Sequence, residues 1–137
     1  MKTLSVKQPW AWLICAGYKD IENRTRKTNY RGRILIHASK TKLEEYYEII
    51  TEFSRAGYTI VMIYDKKEYK GKCIPFYECS EMQAIIGEVT IVDCVQNYKS
   101  KWAEPGSWHW VLADPVLYDK PILNIKGKLG LWEYPMI

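Results

Sequence analysis

The sequence is poor in the residues that build metal centres and disulfide frameworks. Its 137 residues contain four cysteines, with no Cys-x-x-Cys pair, and two histidines. So few ligands without a characteristic spacing argue against a zinc site, and we expect neither a metal nor another cofactor. Cys15 and Cys94 lie inside apolar runs, where a free cysteine commonly packs as a small buried hydrophobe. A reducing compartment suits them, although the sequence does not exclude disulfides.

Long hydrophobic runs are absent as well. No uninterrupted apolar stretch approaches the roughly 20 residues that a helix needs to cross a bilayer. Residues 1–9 also lack the apolar stretch of a secretory signal. We therefore expect a soluble protein of the cytoplasm, with no membrane among its partners.

The excess of one charge sign is small. Twenty Lys and Arg residues oppose sixteen Asp and Glu residues, which gives a formal net charge of +4. This balance permits attraction to phosphates, but many basic enzymes carry as much, so it is a weak indicator of nucleic-acid binding. The distribution of the charges is more informative than their sum.

A chain of this length is expected to form one domain. No internal repeat, low-complexity tract or flexible linker divides it. We therefore interpret residues 1–137 as a single domain, in which 58–83 has the least readable pattern.

Hydrophobic spacing predicts two main helices and several short strands. The first helix spans residues 8–17, with Pro9 in its first turn and Gly17 just past its end. The second and longer helix spans residues 41–55. Strands are predicted at 18–24, 34–39, 84–95, 108–112, 121–125 and 131–134. This pattern indicates an α+β fold built on a barrel.

Charged side chains follow the first predicted helix. On an extended strand Glu22 and Arg24 share one face, whereas Lys19 lies on the opposite face unless a twist or bulge turns it. Glu22 and Arg24 are suited to orient a base or a phosphate. The simpler alternative is a structural ion pair, which contributes about 0 to 1 kcal/mol when exposed. The residues alone favour that alternative.

A basic loop follows at residues 25–33 and contains Arg31 beside Tyr30. Together with Lys7 and Lys40, this loop is able to hold a phosphate backbone, and Tyr30 adds a stacking surface. Charge clusters are more often solvated faces than binding sites, so the loop is a modest indicator of function.

Six tryptophans offer both core mass and platforms for stacked bases. Trp10 and Trp12 are about 200° apart on a helix, so one of them is available to line a cleft. Trp108 and Trp110 share a strand face, and we expect both in the core. His109, between them, is more readily explained as a packed strand residue than as a catalytic base.

Several segments, taken in order, closely resemble the ASCH family. They are residues 4–12 (LSVKQPWAW), 17–24 (GYKDIENR), 30–32 (YRG), 35–39 (LIHAS), 86–95 (IGEVTIVDCV), 110–115 (WVLADP) and 127–132 (GKLGLW). The resemblance covers roughly residues 4–57 and 84–134. The departure at 58–83 marks a candidate insertion.

The resemblance implies a PUA-like, partly open β-barrel of about five to six strands, with helices plugging it and a cleft beside the first helix. Lys19, Glu22 and Arg24 match the family's Lys-x-x-Glu-x-Arg element, which favours ligand contact over a structural ion pair. The expected partner is single-stranded RNA or a nucleotide, with DNA as an alternative. The sequence makes no prediction about the oligomeric state. Candidate binding residues are Lys7, Gln8, Trp10, Lys19, Glu22, Arg24, Tyr30 and Arg31.

Hydrolysis is the second hypothesis, since the family also includes enzymes that deacetylate acetylated cytidine and a ribonuclease. Lys19 and Glu22 are then the catalytic candidates. The resembling deacetylases use a Lys, a Thr three positions later and a distant Glu. Here Glu22 stands in place of the Thr, and the sequence does not identify the distant Glu. RNA cleavage would draw on Lys7, Lys19, Arg24, Arg31 and His109, whose spacing matches no catalytic signature. A protein-interaction module is the third hypothesis.

Overall fold

The computed structural model describes residues 1–40, 45, 51–52, 54–57 and 82–136, together with the backbone of 59–61 and 73–75. Its elements are β1 (Lys2–Lys7), α1 (Trp10–Cys15), β2 (Ile21–Arg24), β3 (Gly32–Ser39), β4 (Thr59–Val61), β5 (Cys73–Pro75), β6 (Ala84–Val95), β7 (Trp108–Ile122) and β8 (Leu131–Glu133). Residues 51–52 and 54–56 are helical as well.

Six strands form one sheet in the order β2-β7-β6-β3-β1-β8, curled into a half-barrel. β1 pairs in parallel with β3 and antiparallel with β8, so the sheet joins strands from both ends of the chain. The remaining neighbours in this sheet are antiparallel. β4 and β5 form a separate parallel pair. The predicted α+β, PUA-like partly open barrel is confirmed.

The core lies inside the curl of the sheet, where α1 contacts β1, β3, β6 and β7. All residues from Ala11 to Cys15 are buried, because these four strands surround that part of the helix. Cys15 and Cys94 are buried free thiols, as their apolar surroundings predict. Burial raises the pKa of the Cys15 thiol well above its ordinary value. The largest fully buried side chains are Leu4, Leu13, Ile14, Ile21, Ile34, Leu35, Ile36, His37, Ile85 and Ile91.

The predicted strand 108–112 continues as β7 (Trp108–Ile122), which takes in residues 121–122 of the predicted strand 121–125, whereas residues 123–125 are not in a strand. Proline normally disfavours a strand because it lacks an N–H for the ladder. Pro115 and Pro121 are tolerated here because each lies where the register between β6 and β7 shifts. β2 pairs only with the start of β7. Beyond that point no strand of this sheet pairs with the outer edge of β7, so no backbone N–H group is needed on that edge.

Several predictions fall on residues outside the described part. Most of the predicted helix 41–55 lies there, and its described portions are helical at 51–52 and 54–55. Within 58–83 the structure describes β4, β5 and residues 82–83. The interpretation of 1–137 as one domain with an insertion at 58–83 stays a prediction. Among the described residues, no helix combines the length and apolarity needed to span a membrane.

Substitution of Gly87 in β6 tests how closely the sheet packs on α1. A Cβ atom at this position would collide with the Val116 carbonyl oxygen and lie 2.8 Å from the Cys15 Sγ. The Val116 carbonyl oxygen belongs to the backbone and cannot move aside as a side chain can. We therefore expect Gly87→Ala to lower the free energy of unfolding by about 2 to 3 kcal/mol. Val92→Thr, at an exposed position of the same strand, is the control and should change it by less than about 0.5 kcal/mol. Equal urea midpoints for both variants would contradict this packing.

Candidate functional site

A cleft of about 870 Å³ opens beside the end of α1. One wall comes from α1 and from residues 19–24, and a second wall from residues 126–130, between β7 and β8. Strands β1 and β3 supply the side chains between these walls. The charged residues that line the cleft are Lys7, Lys19, Glu22, Arg24, Lys40, Glu45, Glu52, Glu104, Lys126 and Lys128.

Glu22 lies between two cations in the wall formed by β2. Lys19 Nζ donates to Glu22 Oε1 at 3.1 Å, and Arg24 donates to Glu22 Oε2 from Nε at 3.1 Å and from Nη2 at 3.0 Å. Lys19 and Glu22 are only 5% and 8% exposed. This buried ion network, Lys19–Glu22–Arg24, is not the exposed ion pair that the sequence alone favoured.

The pKa of Glu22 reflects two opposing effects. Burial by itself raises the pKa of the carboxyl group, because removing a charge from water is unfavourable. The charges of Lys19 and Arg24, and the hydrogen bonds that both donate, outweigh burial and hold the pKa of Glu22 below its ordinary value. The carboxylate is therefore ionised at neutral pH.

Lys19 reaches Glu22 because it precedes the strand. The backbone N–H groups of Tyr18 and Lys19 both donate to the Leu13 carbonyl oxygen, so the chain still wraps the end of α1 at this point. β2 begins only at Ile21, whose carbonyl oxygen accepts a hydrogen bond from Lys19 Nζ at 2.8 Å. The prediction that alternation places Lys19 on the opposite face was therefore wrong.

Arg24 also joins two strands that are not neighbours in the sheet. Its Nη2 donates to the Ser5 carbonyl oxygen of β1 at 2.8 Å, across the open side of the half-barrel between β2 and β1. The guanidinium lies 5.9 Å from the ring centroid of Trp110. Within the described residues, Arg24 Nη1 donates no hydrogen bond, and the side chain is 29% exposed. This group keeps donor capacity toward the cleft.

The tryptophans divide between the cleft and the core. Trp10 lines the cleft and is half-buried, with Lys19 Nζ 5.7 Å from its ring centroid and Trp102 packed edge-on at 5.9 Å. Trp12 is buried and stacks on Tyr18. Trp110 is buried as predicted, and its Nε1 donates to the Arg26 carbonyl oxygen. Trp108 is only partly buried, so the expectation that it belongs to the core holds in part.

Two side chains fix the loop that carries Glu104. Asn23 Oδ1 accepts from the Glu104 N–H at 3.0 Å, and Asn23 Nδ2 donates to the Trp102 carbonyl oxygen at 2.9 Å. His109 Nδ1 accepts from the Tyr98 N–H at 3.2 Å, so its Nε2 carries the proton and donates to the Glu104 carbonyl oxygen at 2.8 Å. His109 is thus a buried positioning residue, as its strand context predicts.

Glu104 is a cleft residue that sequence reasoning missed. Partial burial, followed by the hydrogen bond and charge of Glu52, raises the pKa of Glu104, while Arg55 and Lys19 act in the opposite direction. Both acids line the cleft, and each lies far in sequence from Lys19. Glu104 belongs to a Glu-Pro-Gly turn, which carries no functional signature, so only the folded chain reveals it.

Five of the eight predicted binding residues line the cleft, and three do not. Lys7, Trp10, Lys19, Glu22 and Arg24 are together there, with Lys7 paired to Glu45 at 2.6 Å. Gln8 is buried instead, and its Oε1 accepts from the Trp12 N–H. Tyr30 donates to the Arg33 carbonyl oxygen, and Arg31 donates to the Thr28 and Tyr30 carbonyl oxygens. Ligand contact by any of the eight stays a prediction. In the described part of the chain, no three His, Cys, Asp or Glu side chains cluster as a metal site.

Glu22→Gln tests the buried ion network through its pH dependence. The substitution leaves Lys19 and Arg24 without their counter-charge, so we expect it to lower the free energy of unfolding at pH 7 by about 3 kcal/mol. Because the folded-state pKa of Glu22 lies below the unfolded-state value, its stabilisation is complete above the ordinary carboxyl range and is lost as pH falls through the folded-state pKa.

Urea unfolding from pH 7 to pH 3 measures this effect. The difference between wild type and Glu22→Gln should shrink as the pH falls. Asp119→Asn removes an exposed carboxylate and serves as the matched control. Parallel pH curves for wild type and Glu22→Gln would contradict an ionised Glu22 in the folded state.

Comparison with known proteins agrees with this architecture. The sequence matches the ASCH domain over residues 4–121. It is 31% identical over 100 residues to human Activating signal cointegrator 1, in a region that covers 72% of this chain and 15% of that protein. The chain thus corresponds to a small part of that relative's length. With most of its length matched, the chain belongs to the ASCH domain family.

Proposed function

We propose that this ASCH domain binds single-stranded RNA or a nucleotide in the cleft beside α1. The observation that carries the proposal is the buried Lys19–Glu22–Arg24 network in the cleft wall. Its contacts supply an ionised acceptor and a cationic donor side by side. The membership of the ASCH family supports the same ligand class.

Energetics favour a binding role for this network over a purely structural one. Taking charges out of water costs several kcal/mol per ion, and a buried ion pair is often no more stabilising than apolar residues of similar volume. Lys19 and Arg24 together also exceed the single charge of Glu22. The network therefore leaves positive charge at the cleft, which attracts an anionic ligand.

The chemistry of the wall suits a nucleobase. A carboxylate has about four acceptor sites, and hydrogen bonds from Lys19 and Arg24 to Glu22 leave room for a base amino group. Arg24 Nη1 is oriented by the bonds that its other nitrogens make, and it is available to a carbonyl oxygen or ring nitrogen. Trp10 adds an aromatic surface at the same wall. Such edges and faces are accessible in unpaired bases, which favours a single strand over a duplex.

Substitution of Trp10 tests stacking. A base stacked on an aromatic side chain contributes about 1 to 3 kcal/mol, so Trp10→Ala should weaken binding of a short single-stranded RNA by about 5- to 150-fold. Trp10→Phe keeps an aromatic face and should retain most of the affinity. Fluorescence anisotropy with a labelled oligonucleotide measures both.

The control is Tyr98→Ala, which removes a partly exposed aromatic residue outside the cleft. Its affinity should stay within about twofold of wild type, as expected for a change remote from the ligand. Failure of the wild-type protein to bind single-stranded RNA, single-stranded DNA or nucleotides would reject the proposal.

Hydrolysis of a modified nucleoside or of RNA is a second candidate, favoured by one observation. Glu104 lies in the cleft with a raised pKa, and the Lys19 charge acts on it. A carboxyl group that retains its proton nearer to neutral pH is suited to general acid catalysis. The resemblance implies a distant Glu, and Glu104 is a candidate for it. Lys19 and Glu22 are held in mutual ion pairing, which suits electrostatic positioning more than nucleophilic attack.

Product analysis by mass spectrometry tests this candidate. Wild type incubated with acylated nucleosides and mixed RNA should yield altered species, and Glu104→Gln should reduce their formation by about 100-fold or more, as for loss of a general acid. Glu133→Gln, outside the cleft, is the control and should retain full activity. Intact substrates after incubation with the wild-type protein would exclude the candidate.

A further inference from the structure

The second wall of the cleft is a short basic segment, residues 126–130 (KGKLG), which we call the lysine loop. Its backbone and side chains line the cleft from Lys126 to Gly130. It lies between β7, the second strand from one edge of the sheet, and β8 at the other edge. The sequence resemblance includes part of this segment but assigns no role to it.

Ile125, directly before the lysine loop, is held by one side-chain and one backbone hydrogen bond. His37 Nε2 donates to the Ile125 carbonyl oxygen at 2.6 Å, and the Ile125 N–H donates to the Gln83 carbonyl oxygen at 2.8 Å. His37 is completely buried, so its imidazole cannot swing away to solvent. The position at which the loop leaves β7 is therefore fixed.

Gly127, in the middle part of the loop, packs against the same histidine, His37. A Cβ atom at Gly127 would lie 2.7 Å from both Ser5 Oγ and His37 Cε1, so glycine permits this close approach. Because His37 Nε2 carries the proton, His37 Nδ1 accepts from the Ser5 hydroxyl at 3.1 Å. Ser5 Oγ in turn accepts from Trp132 Nε1 in β8 at 3.1 Å. The loop therefore packs on a chain of hydrogen bonds that continues to Trp132 in β8, the strand after the loop.

The two lysines of the loop, like Lys40, differ from the remaining cleft cations in their partners. Lys7 is paired with Glu45, and Lys19 and Arg24 are paired with Glu22. Among the described residues, no carboxylate forms a salt bridge with Lys126 or Lys128. Lys128 instead lies 5.9 Å from the Trp132 ring centroid. Within the described part of the chain, two of the three cleft cations without a salt bridge therefore lie on this loop.

We propose that the lysine loop binds phosphate, so that the cleft takes a phosphorylated nucleotide or a nucleic-acid strand and discriminates against a free nucleoside. This inference rests on the proposed function, because the base is taken to lie at the Lys19–Glu22–Arg24 wall. Ammonium groups on a loop held by fixed hydrogen bonds meet a phosphate with little reorganisation, which favours binding. A cleft of about 870 Å³ is within the range that encloses a ligand of nucleotide size.

Leu129 fits the same proposal. It is 99% exposed at the rim of the cleft, flanked by Lys128 and Gly130. A solitary exposed leucine is common on protein surfaces and carries no argument by itself. Beside a phosphate-binding loop it offers apolar contact to a sugar or a base that leaves the cleft.

The test compares Lys126→Ala/Lys128→Ala with Lys99→Ala/Lys120→Ala, which removes two exposed lysines outside the cleft. Both double variants lose the same charge, so any general electrostatic effect is matched. The ligands are a short single-stranded RNA, a nucleoside monophosphate and the corresponding nucleoside, titrated by calorimetry between 50 and 200 mM salt. Circular dichroism verifies that each variant is folded.

We expect Lys126→Ala/Lys128→Ala to weaken RNA binding by about tenfold or more at low salt, and to reduce the slope of log K against log salt by about 1.4, or about 0.7 per lost phosphate contact. Its nucleoside affinity should match wild type, and the control should change RNA affinity by less than about threefold. If this variant also binds the monophosphate more weakly, the lysine loop contacts the phosphate of the bound nucleotide itself. If only RNA binding is weaker, the loop contacts a phosphate of the adjoining backbone. Either result supports the inference.

Two outcomes overturn the inference and are distinguishable. Unchanged RNA affinity and salt slope in Lys126→Ala/Lys128→Ala, with a wild type that binds RNA, would reject the lysine loop and leave the proposed function intact. Wild-type affinity for the nucleoside equal to that for both the monophosphate and the RNA would also reject it. Absence of wild-type binding to all three ligands would reject the proposed function and the inference together.

Discussion

The ion network of Lys19, Glu22 and Arg24 is the constraint on which the rest of the site depends. It holds three parts of the chain in one place. Lys19 follows α1, Glu22 belongs to the edge strand β2, and Arg24 reaches the Ser5 carbonyl oxygen of β1 across the open side of the half-barrel. Without Glu22, two cations would face each other at a partly buried position. The network therefore fixes both the geometry and the charge of one cleft wall.

The second wall depends on a different chain of hydrogen bonds, which starts from buried His37. Its two ring nitrogens contact Ser5 and the Ile125 carbonyl oxygen, and Gly127 packs against the same ring. Ser5 takes part in both walls, because its carbonyl oxygen accepts from Arg24 and its hydroxyl belongs to the His37 chain. β1 is thus the common support, and its parallel pairing with β3 places Ser5 beside His37. The cleft is preorganised by backbone and buried side chains on both sides.

Hydrophobic spacing in the sequence predicted those strands and helices that local composition determines. β6 has the predicted bounds, because it is rich in Ile and Val over a long stretch. α1 was predicted too long, since chain reversal by the Tyr18 and Lys19 N–H groups on Leu13 ends it early. The same reversal explains why strand alternation misplaced Lys19. The sequence predicted two separate strands where β7 is continuous, because register shifts that accommodate its prolines are not visible in the sequence.

The candidate site was predictable only where its residues are contiguous. The stretch from Trp10 to Arg24 carries the first wall, and the family motif identifies it. Glu104, His37 and the lysine loop come from distant segments, and no sequence spacing reports their convergence. Gln8 belongs to the same motif, but its side chain also serves the fold, since its Oε1 accepts from the Trp12 N–H group of α1.

Nuclear magnetic resonance titration of the isotope-labelled protein with a short single-stranded RNA tests the central claim most directly. The account predicts that the largest shift changes map to the indole N–H of Trp10, the side-chain amide of Asn23 and the backbone amides of Arg24 and Gly127, all of which line the cleft. Saturable changes confined to another face, such as the exposed residues Val92 and Val116 of β6 and β7, would contradict it.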